Sequence, residues 1–263
     1  MNKEQLSEYL EFSKSLAYKA GEIMLKHFHV DVETRIKADK SIVTIADEEI
    51  NQMVIDEVEN KFPTHSVFGE ESSMDKKSDL IWVCDPIDGT IPYSKGIPVS
   101  VFSLALVDNG APIVGVVYDP FTKKLYNAVK GGGAYLNDEL ITVSTLELAQ
   151  GSTINCEWWS SAPYDVSSVM HDLSVETSVY ILNLGCIINS ACLVASGQFV
   201  ASVYPGTNGK NVDIAAVKVI VEEAGGIVTD IHGLEQRYDT DINGAIISNK
   251  IVHEKLVGQL KDL

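Results

Sequence analysis

A layered fold mixing α-helices and β-strands is what the 263-residue sequence predicts, on three observations. Amphipathic helical patterns open the chain. Short β-branched segments separated by turn formers fill the middle. Helical and strand patterns then alternate toward the end. The length suffices for one large domain or two lobes, and the softest boundary falls near residue 145, giving lobes 1–145 and 146–263.

Leu6, Leu10, Leu16, Ala17, Ala20, Met24 and Phe28 recur near the 3.6-residue period and predict a long first helix. A second helix is expected after Asp47, with Ile50, Met53, Val54 and Val58 on one face and its end near Phe62-Pro63. LIWVC (80–84), VSVFSLALV (99–107) and APIVGVVYD (111–119) read as strands, and Asp108-Asn109-Gly110 as a hairpin turn. KLYNAV (124–129) and, after three glycines, AYLND (134–138) extend what reads as an antiparallel sheet. Strands are expected near 152–157 and 178–183, a helix over 187–196 and a strand over 199–204. A helix over 213–224 stops at Gly225-Gly226, and a strand (244–248) and a helix (251–261) close the chain. No linker, low-complexity tract or repeat interrupts the sequence.

Against 20 Lys and Arg stand 37 Asp and Glu, a net charge of −17. Such a surface repels nucleic-acid backbones and anionic lipid, which argues against both as natural partners. Cys84, Cys156, Cys186 and Cys192 form no CxxC pair and no zinc spacing, so they read as buried free thiols in a reducing compartment. The first residues, MNKEQLSEYLEFSK, are charged throughout and resemble no signal peptide, and no window suggests a membrane span. A cytoplasmic protein is expected.

The most informative run is Asp85-Pro86-Ile87-Asp88-Gly89-Thr90, directly after an apolar strand pattern. Asp88-Gly89 bends the chain, and Thr90 with Pro92 reads as an N-cap and an early helical position. The N–H groups of Gly89 and Thr90 would then be free to hold an anion. Two aspartates three apart in a tight turn can converge on one hard cation; an ordinary acidic turn is the plain alternative. Upstream, Gly69-Glu70-Glu71-Ser72 follows Val67-Phe68, and adjacent carboxylates there repel by roughly 1 kcal/mol or more unless a cation intervenes. Asp47 ends the run Val43-Thr44-Ile45-Ala46-Asp47 and serves equally as the N-terminal acid of the second helix. Asp213, in Asn211-Val212-Asp213-Ile214-Ala215-Ala216, opens a helix whose positive end favours an ionised carboxylate, as a cap or as a ligand.

GEES (69–72), DPIDGT (85–90) and VDIAA (212–216), in this order and spacing, resemble the inositol monophosphatase family of lithium-sensitive, magnesium-dependent phosphomonoesterases. The likeness runs along nearly the whole chain and takes in the VTxxD run ending at Asp47, residues 131–137, LVASG (193–197) and EEAGG (222–226). It implies a single domain over 1–263, an αβαβα sandwich and a homodimer. It also implies two or three Mg2+ held by Glu70, Asp85, Asp88, Asp213 and the Ile87 carbonyl, with Glu71 and Asp47 near a more weakly held ion and its waters. Glu70 with Thr90 would orient the nucleophilic water, Gly89 and Thr90 would give N–H groups to the phosphate, and Gly185 would lie close to the substrate ring, beside Asp88 and Asp213. In such a site the ions, rather than a side-chain nucleophile, carry most of the chemistry.

Three departures bear on the metal and substrate. Val212 replaces the usual tryptophan, Ser41 stands where an aspartate is common, and neither Tyr204 nor Gly206 supplies the glutamate that contacts hydroxyls in many relatives. Lys210 either helps to hold an anionic substrate or is simply solvated. Trp158-Trp159 with Tyr164 either line a substrate mouth or serve a core or interface. DxxD spacing argues against haloacid-dehalogenase phosphatases, and P-loop, GxSxG and HExxH motifs are absent from the sequence. The leading expectation is hydrolysis of inositol monophosphate. Histidinol phosphate is the alternative, followed by a nucleotide 3′-phosphate, fructose bisphosphate, or a non-catalytic relative that binds metal and anions.

Overall fold

The computed structural model describes residues 1–29, 32–37, 41–159, 162–209, 211–261 and 263. Helix α1 (Lys3–His27) begins with a capping box in which the Asn2 side chain accepts the Gln5 N–H at 2.9 Å and Gln5 returns the bond at 3.1 Å. Its buried stripe includes Phe12, Leu16, Ala17, Ala20 and Met24; Phe28 lies just past its end. Strands β1 (Thr34–Ile36) and β2 (Ile42–Thr44) form a small antiparallel pair. Helix α2 (Ile45–Lys61) starts two residues before Asp47, so Asp47 sits inside its first turn.

Next come β3 (Ser66–Gly69), β4 (Ser73–Met74), β5 (Leu80–Asp88), the short helix α3 (Thr90–Ser94), β6 (Val101–Asp108) and β7 (Ala111–Asp119). Strands β8 (Lys124–Val129), β9 (Ala134–Leu136) and β10 (Glu139–Ile141) complete an eight-stranded sheet of order β10-β9-β8-β7-β6-β5-β3-β4. All its pairings are antiparallel except β3 with β5. The β6–β7 turn uses Asn109 and Gly110, both at positive φ, as a two-residue hairpin requires. Beyond it lie β11 (Thr153–Cys156), α4 (Val166–Thr177), β12 (Tyr180–Leu182), α5 (Ile187–Ala195) and β13 (Ala201–Gly209). A 3-10 turn (Asn211–Asp213), α6 (Ala215–Glu223), β14 (Ile227–Thr229), β15 (Ile242–Ser248) and α7 (His253–Leu260) finish the chain. The second sheet has order β12-β11-β13-β15-β14.

Side-chain alternation along the strands decides the layering. On β6, Phe102, Leu104 and Leu106 pack with α1 and α2, whereas Val101, Ala105 and Val107 pack with α5 and α6. On β15, Ala245 and Ile247 join that same central helical layer, and Ile246 faces α4 and α7. The layers therefore run helices, sheet, helices, sheet, helices: an αβαβα sandwich. All four cysteines are buried free thiols. Among the described residues no helix is long and apolar enough to cross a membrane.

Helix α4 escaped the sequence reading because its apolar residues Val166, Met170 and Leu173 are diluted by serines; Asp165 caps it by accepting the Ser168 N–H at 3.1 Å. Two helix starts are corrected. Gly89, not Thr90, is the N-cap of α3, and Asp213 ends a 3-10 turn ahead of α6, whose N-cap is Ile214.

Candidate active site

Strand β5 carries two of the predicted carboxylates. In a regular strand, residues three apart face opposite sides. Here Asp85 pairs with Ser103 and Asp88 with Val101, so one extra residue bulges between them and shifts the phase. A bulge of this kind re-aims side chains at a strand end, and it lets Asp85 and Asp88 serve one side. Asp85 accepts the Ile87 N–H at 3.0 Å, which folds its carboxylate back over the bulge.

Parallel pairing of β3 with β5 sets Gly69 opposite Cys84, and the Glu70 N–H continues the ladder to the Cys84 carbonyl at 3.2 Å. A Cβ on Gly69 would fall 2.2 Å from the Asn51 side-chain oxygen, so the close crossing of α2 requires glycine there. Asn51 then organises the acidic turn, accepting the Glu71 N–H at 3.2 Å and donating to Ser72 Oγ at 2.8 Å. The Lys37 ammonium spans both acids, 3.3 Å from Glu70 and 2.8 Å from Glu71.

Asp47 is fully buried. Its Oδ2 accepts the Thr44 N–H at 2.7 Å and the Thr44 hydroxyl at 2.5 Å, while Oδ1 lies 3.5 Å from Thr90 Oγ1. Thr90 Oγ1 is also 3.0 Å from the Ile87 carbonyl. Burial pushes the Asp47 carboxyl up to about 7, helped by nearby Glu70 and Glu71 and opposed by the Thr44 bonds.

Asp88 is gripped from a distant turn: its Oδ2 accepts the Ile188 N–H at 2.6 Å and the Cys186 thiol at 2.9 Å. Burial raises its carboxyl, and the charge of Asp213 raises it further. Asp213 accepts the Tyr204 hydroxyl at 2.8 Å, and the Tyr204 ring packs on Trp159 at 5.3 Å. Gly89 sits at φ +80, where a Cβ would meet the Gly185 carbonyl at 3.0 Å, so the Asp-Gly turn and Gly185 press together. In the first turn of α3 the leading N–H groups lack intrahelical acceptors and are oriented to receive an anion.

The predicted carboxylates thus come from the α2 start, the β3 end, the β5 bulge and the 3-10 turn. Among the described residues no three His, Cys, Asp or Glu side chains are grouped as a finished metal cage; neighbouring N–H, O–H, S–H and ammonium donors engage the carboxylates instead. The donor set is nonetheless all oxygen and carries several mutually repelling carboxylates. Those are the ligands a hard cation such as Mg2+ selects. Lys210 lies outside the described residues. Trp158 is exposed, Trp159 covers Tyr204, and Tyr164 receives a bond from Asn243 at 3.1 Å.

Sequence reasoning missed three neighbours of the site: Lys37, Cys186 and Glu157. Glu157 is a buried acid at the end of β11, and its charge acts on Asp88. An acid closing an apolar strand pattern was the available signal, the same one that marks Glu70.

The profile of the inositol monophosphatase family matches residues 5–263. A Thermotoga maritima protein named fructose-1,6-bisphosphatase/inositol-1-monophosphatase is 34% identical over 94% of each chain. Human inositol monophosphatase 1 is 31% identical over 94% of each, and Nus factor SuhB of Pasteurella multocida 31% over 87% of each. Among solved structures, the Thermotoga maritima IMPase superposes with TM-score 0.87 at 32% identity, covering 97% of both chains. The extragenic suppressor protein suhB of Bartonella henselae superposes with TM-score 0.87 at 25% identity, covering 97% of this chain and 98% of that one.

Proposed function

The chain belongs to the inositol monophosphatase family, and from that premise we propose that this phosphoric monoester hydrolase uses magnesium to release phosphate from a small phosphorylated alcohol, inositol monophosphate first. The observation that carries the reading is the Thr90 hydroxyl, placed between the Asp47 carboxylate and the Ile87 carbonyl at the mouth of the Asp-Gly turn. Glu70, Asp85, Asp88, Asp213 and the Ile87 carbonyl would hold two or three Mg2+, with Glu71 and Asp47 beside the outermost. Bound there, the ions neutralise the pocket, acidify a water and stabilise the leaving alkoxide.

The chain's own groups do the rest. Thr90 Oγ1 donates its proton to Ile87 or Asp47 and so keeps its lone pairs for the attacking water, while Glu70 takes that water's proton. The N–H groups of Gly89 and Thr90 receive phosphate oxygens. Gly185, backed against Gly89, borders the alcohol together with Asp88 and Asp213.

A second reading, histidinol phosphate, is favoured by one feature: the Tyr204 hydroxyl is committed to Asp213 where many relatives offer a carboxylate to a polyol. Fructose bisphosphate is supported by the name of the Thermotoga relative, and a non-catalytic role by the SuhB relatives named as Nus factors. We also propose that residues 1–263 form one domain, because both sheets pack on the shared α5–α6 layer. A homodimer, lithium sensitivity and cytoplasmic residence complete the reading. The test is phosphate release from inositol 1-phosphate and histidinol phosphate side by side, with and without Mg2+. Magnesium-dependent turnover of inositol phosphate supports the first reading, preference for histidinol phosphate moves the assignment to the second, and turnover of neither refutes both.

A further inference from the structure

Both bonds that fix Asp88 Oδ2 come from one turn, residues 185–188. Among the described residues no strand pairs with that turn, so side chains must hold it. The carboxylate of Glu157, only 8% exposed, lies where the Cys186 and Gly185 N–H groups favour its charge, while the Gly185 N–H itself donates to Asn183 Oδ1 at 3.0 Å. Asn155, fully buried, donates to Glu157 Oε1 at 2.9 Å and accepts the Leu184 N–H at 3.0 Å. The pair is itself anchored in the second sheet, since the Glu157 N–H donates to the Val203 carbonyl at 3.0 Å and Asn155 lies 3.3 Å from Ser202 Oγ. On the far side, Asn189 ties the start of α5 to the Val99 carbonyl at 2.7 Å. A buried acid with no cationic partner among these contacts is costly, and it is tolerated where backbone N–H groups and an amide satisfy it.

We propose that Glu157 is a positioning residue that holds the 185–188 turn against Asp88 and so sets the affinity of that carboxylate for a divalent cation. The proposal rests on the reading of Asp88 as a metal ligand. Outer residues that orient a ligating carboxylate commonly change metal affinity by about 10–100-fold when replaced. Glu157 itself touches neither the metal nor the phosphate in this account.

The experiment uses full-length wild type, Glu157→Gln, Glu157→Ala and Asp88→Asn, with Mg2+ alone titrated calorimetrically. Amide hydrogen exchange of the metal-free proteins and phosphate release across a Mg2+ series accompany it. Glu157→Gln should need about tenfold more Mg2+ for half-saturation, while the substrate KM at saturating Mg2+ moves less than about twofold. Exchange at 186–188 should quicken by about tenfold or more, with Val101–Asp108 unchanged. If Glu157→Ala unfolds, Glu157→Gln decides. A folded Glu157→Gln with wild-type Mg2+ binding and wild-type exchange at 186–188 overturns the proposal. Asp88→Asn binding Mg2+ as wild type does would instead overturn the ligand reading beneath it, a separately visible failure.

Discussion

Replacing Asp47 by asparagine should abolish turnover and yet make the metal-free protein more stable. Burial is the main reason its carboxyl rises from 3.8 to about 7. Between those values the unfolded chain has already lost the proton that the folded chain still prefers to keep, so stability falls as pH rises through that window and the full penalty applies above it. Roughly 3 units at about 1.4 kcal/mol each amount to about 4 kcal/mol at pH 8. Asparagine carries no such penalty. It can still accept the Thr44 N–H, and the Thr44 bonds that hold the Asp47 carboxyl down already count against its rise to about 7, so the penalty stands whole. A gain of about 4 kcal/mol corresponds to a Tm rise of about 8–16 °C for a chain of this size.

The assay is thermal unfolding followed by circular dichroism in EDTA, at pH 8 and pH 5. At pH 5 the folded carboxyl is protonated and the penalty falls to about 2 kcal/mol, so the variant's Tm advantage should shrink to about half or less of its value at pH 8. Added Mg2+ should raise the Tm of wild type more than that of the variant, because ligand binding stabilises only the form that holds it. A variant no more stable than wild type at pH 8, or equally stabilised at pH 5, refutes the reasoning.

Asp88→Asn should reduce Mg2+-dependent phosphate release to below about 1% of wild type. Gly89→Ala should destabilise by about 1–2 kcal/mol and lose most activity, because its φ of +80 strains any side chain and the new methyl would press on the Gly185 carbonyl; urea titration and phosphate release check both effects. Tyr204→Phe removes the bond to Asp213 and should weaken Mg2+ binding by about tenfold, measured by calorimetry. His65, buried against Phe62 and accepting the Trp82 N–H at 3.1 Å, has its pKa lowered by burial. Its folded form therefore resists protonation, and stability should fall as pH drops below about 6.5, the ordinary histidine value. His65→Gln keeps an acceptor for Trp82 and should flatten that part of the urea-midpoint profile.

Much of the fold was legible because one-dimensional patterns report local structure. The period of Leu16, Ala20 and Met24 matches α1, and the Asn109-Gly110 pair matches the positive φ angles that a tight hairpin needs. Elements with weak patterns were not legible: β1, β4 and β14 are short strands with no room for alternation, and the apolar face of α4 is thinned by serines. The helix-start readings at Thr90 and Asp213 missed by one residue or one turn, since local propensity cannot tell a cap from a neighbour when tertiary packing sets the entry angle.

The candidate site divides the same way. Residue types and spacing along the chain determined the family, the acidic run DPIDGT, the paired glutamates and the layered class, because these depend on chemistry written in consecutive positions. Tertiary structure alone decided which donor meets which carboxylate. The bulge that re-aims Asp85 and Asp88 requires the register with β6, and the thiol and amide that grip Asp88 come from 98 and 100 positions away. Contacts at that separation arise when two sheets close on the α5–α6 layer, and no local pattern encodes the distance between them.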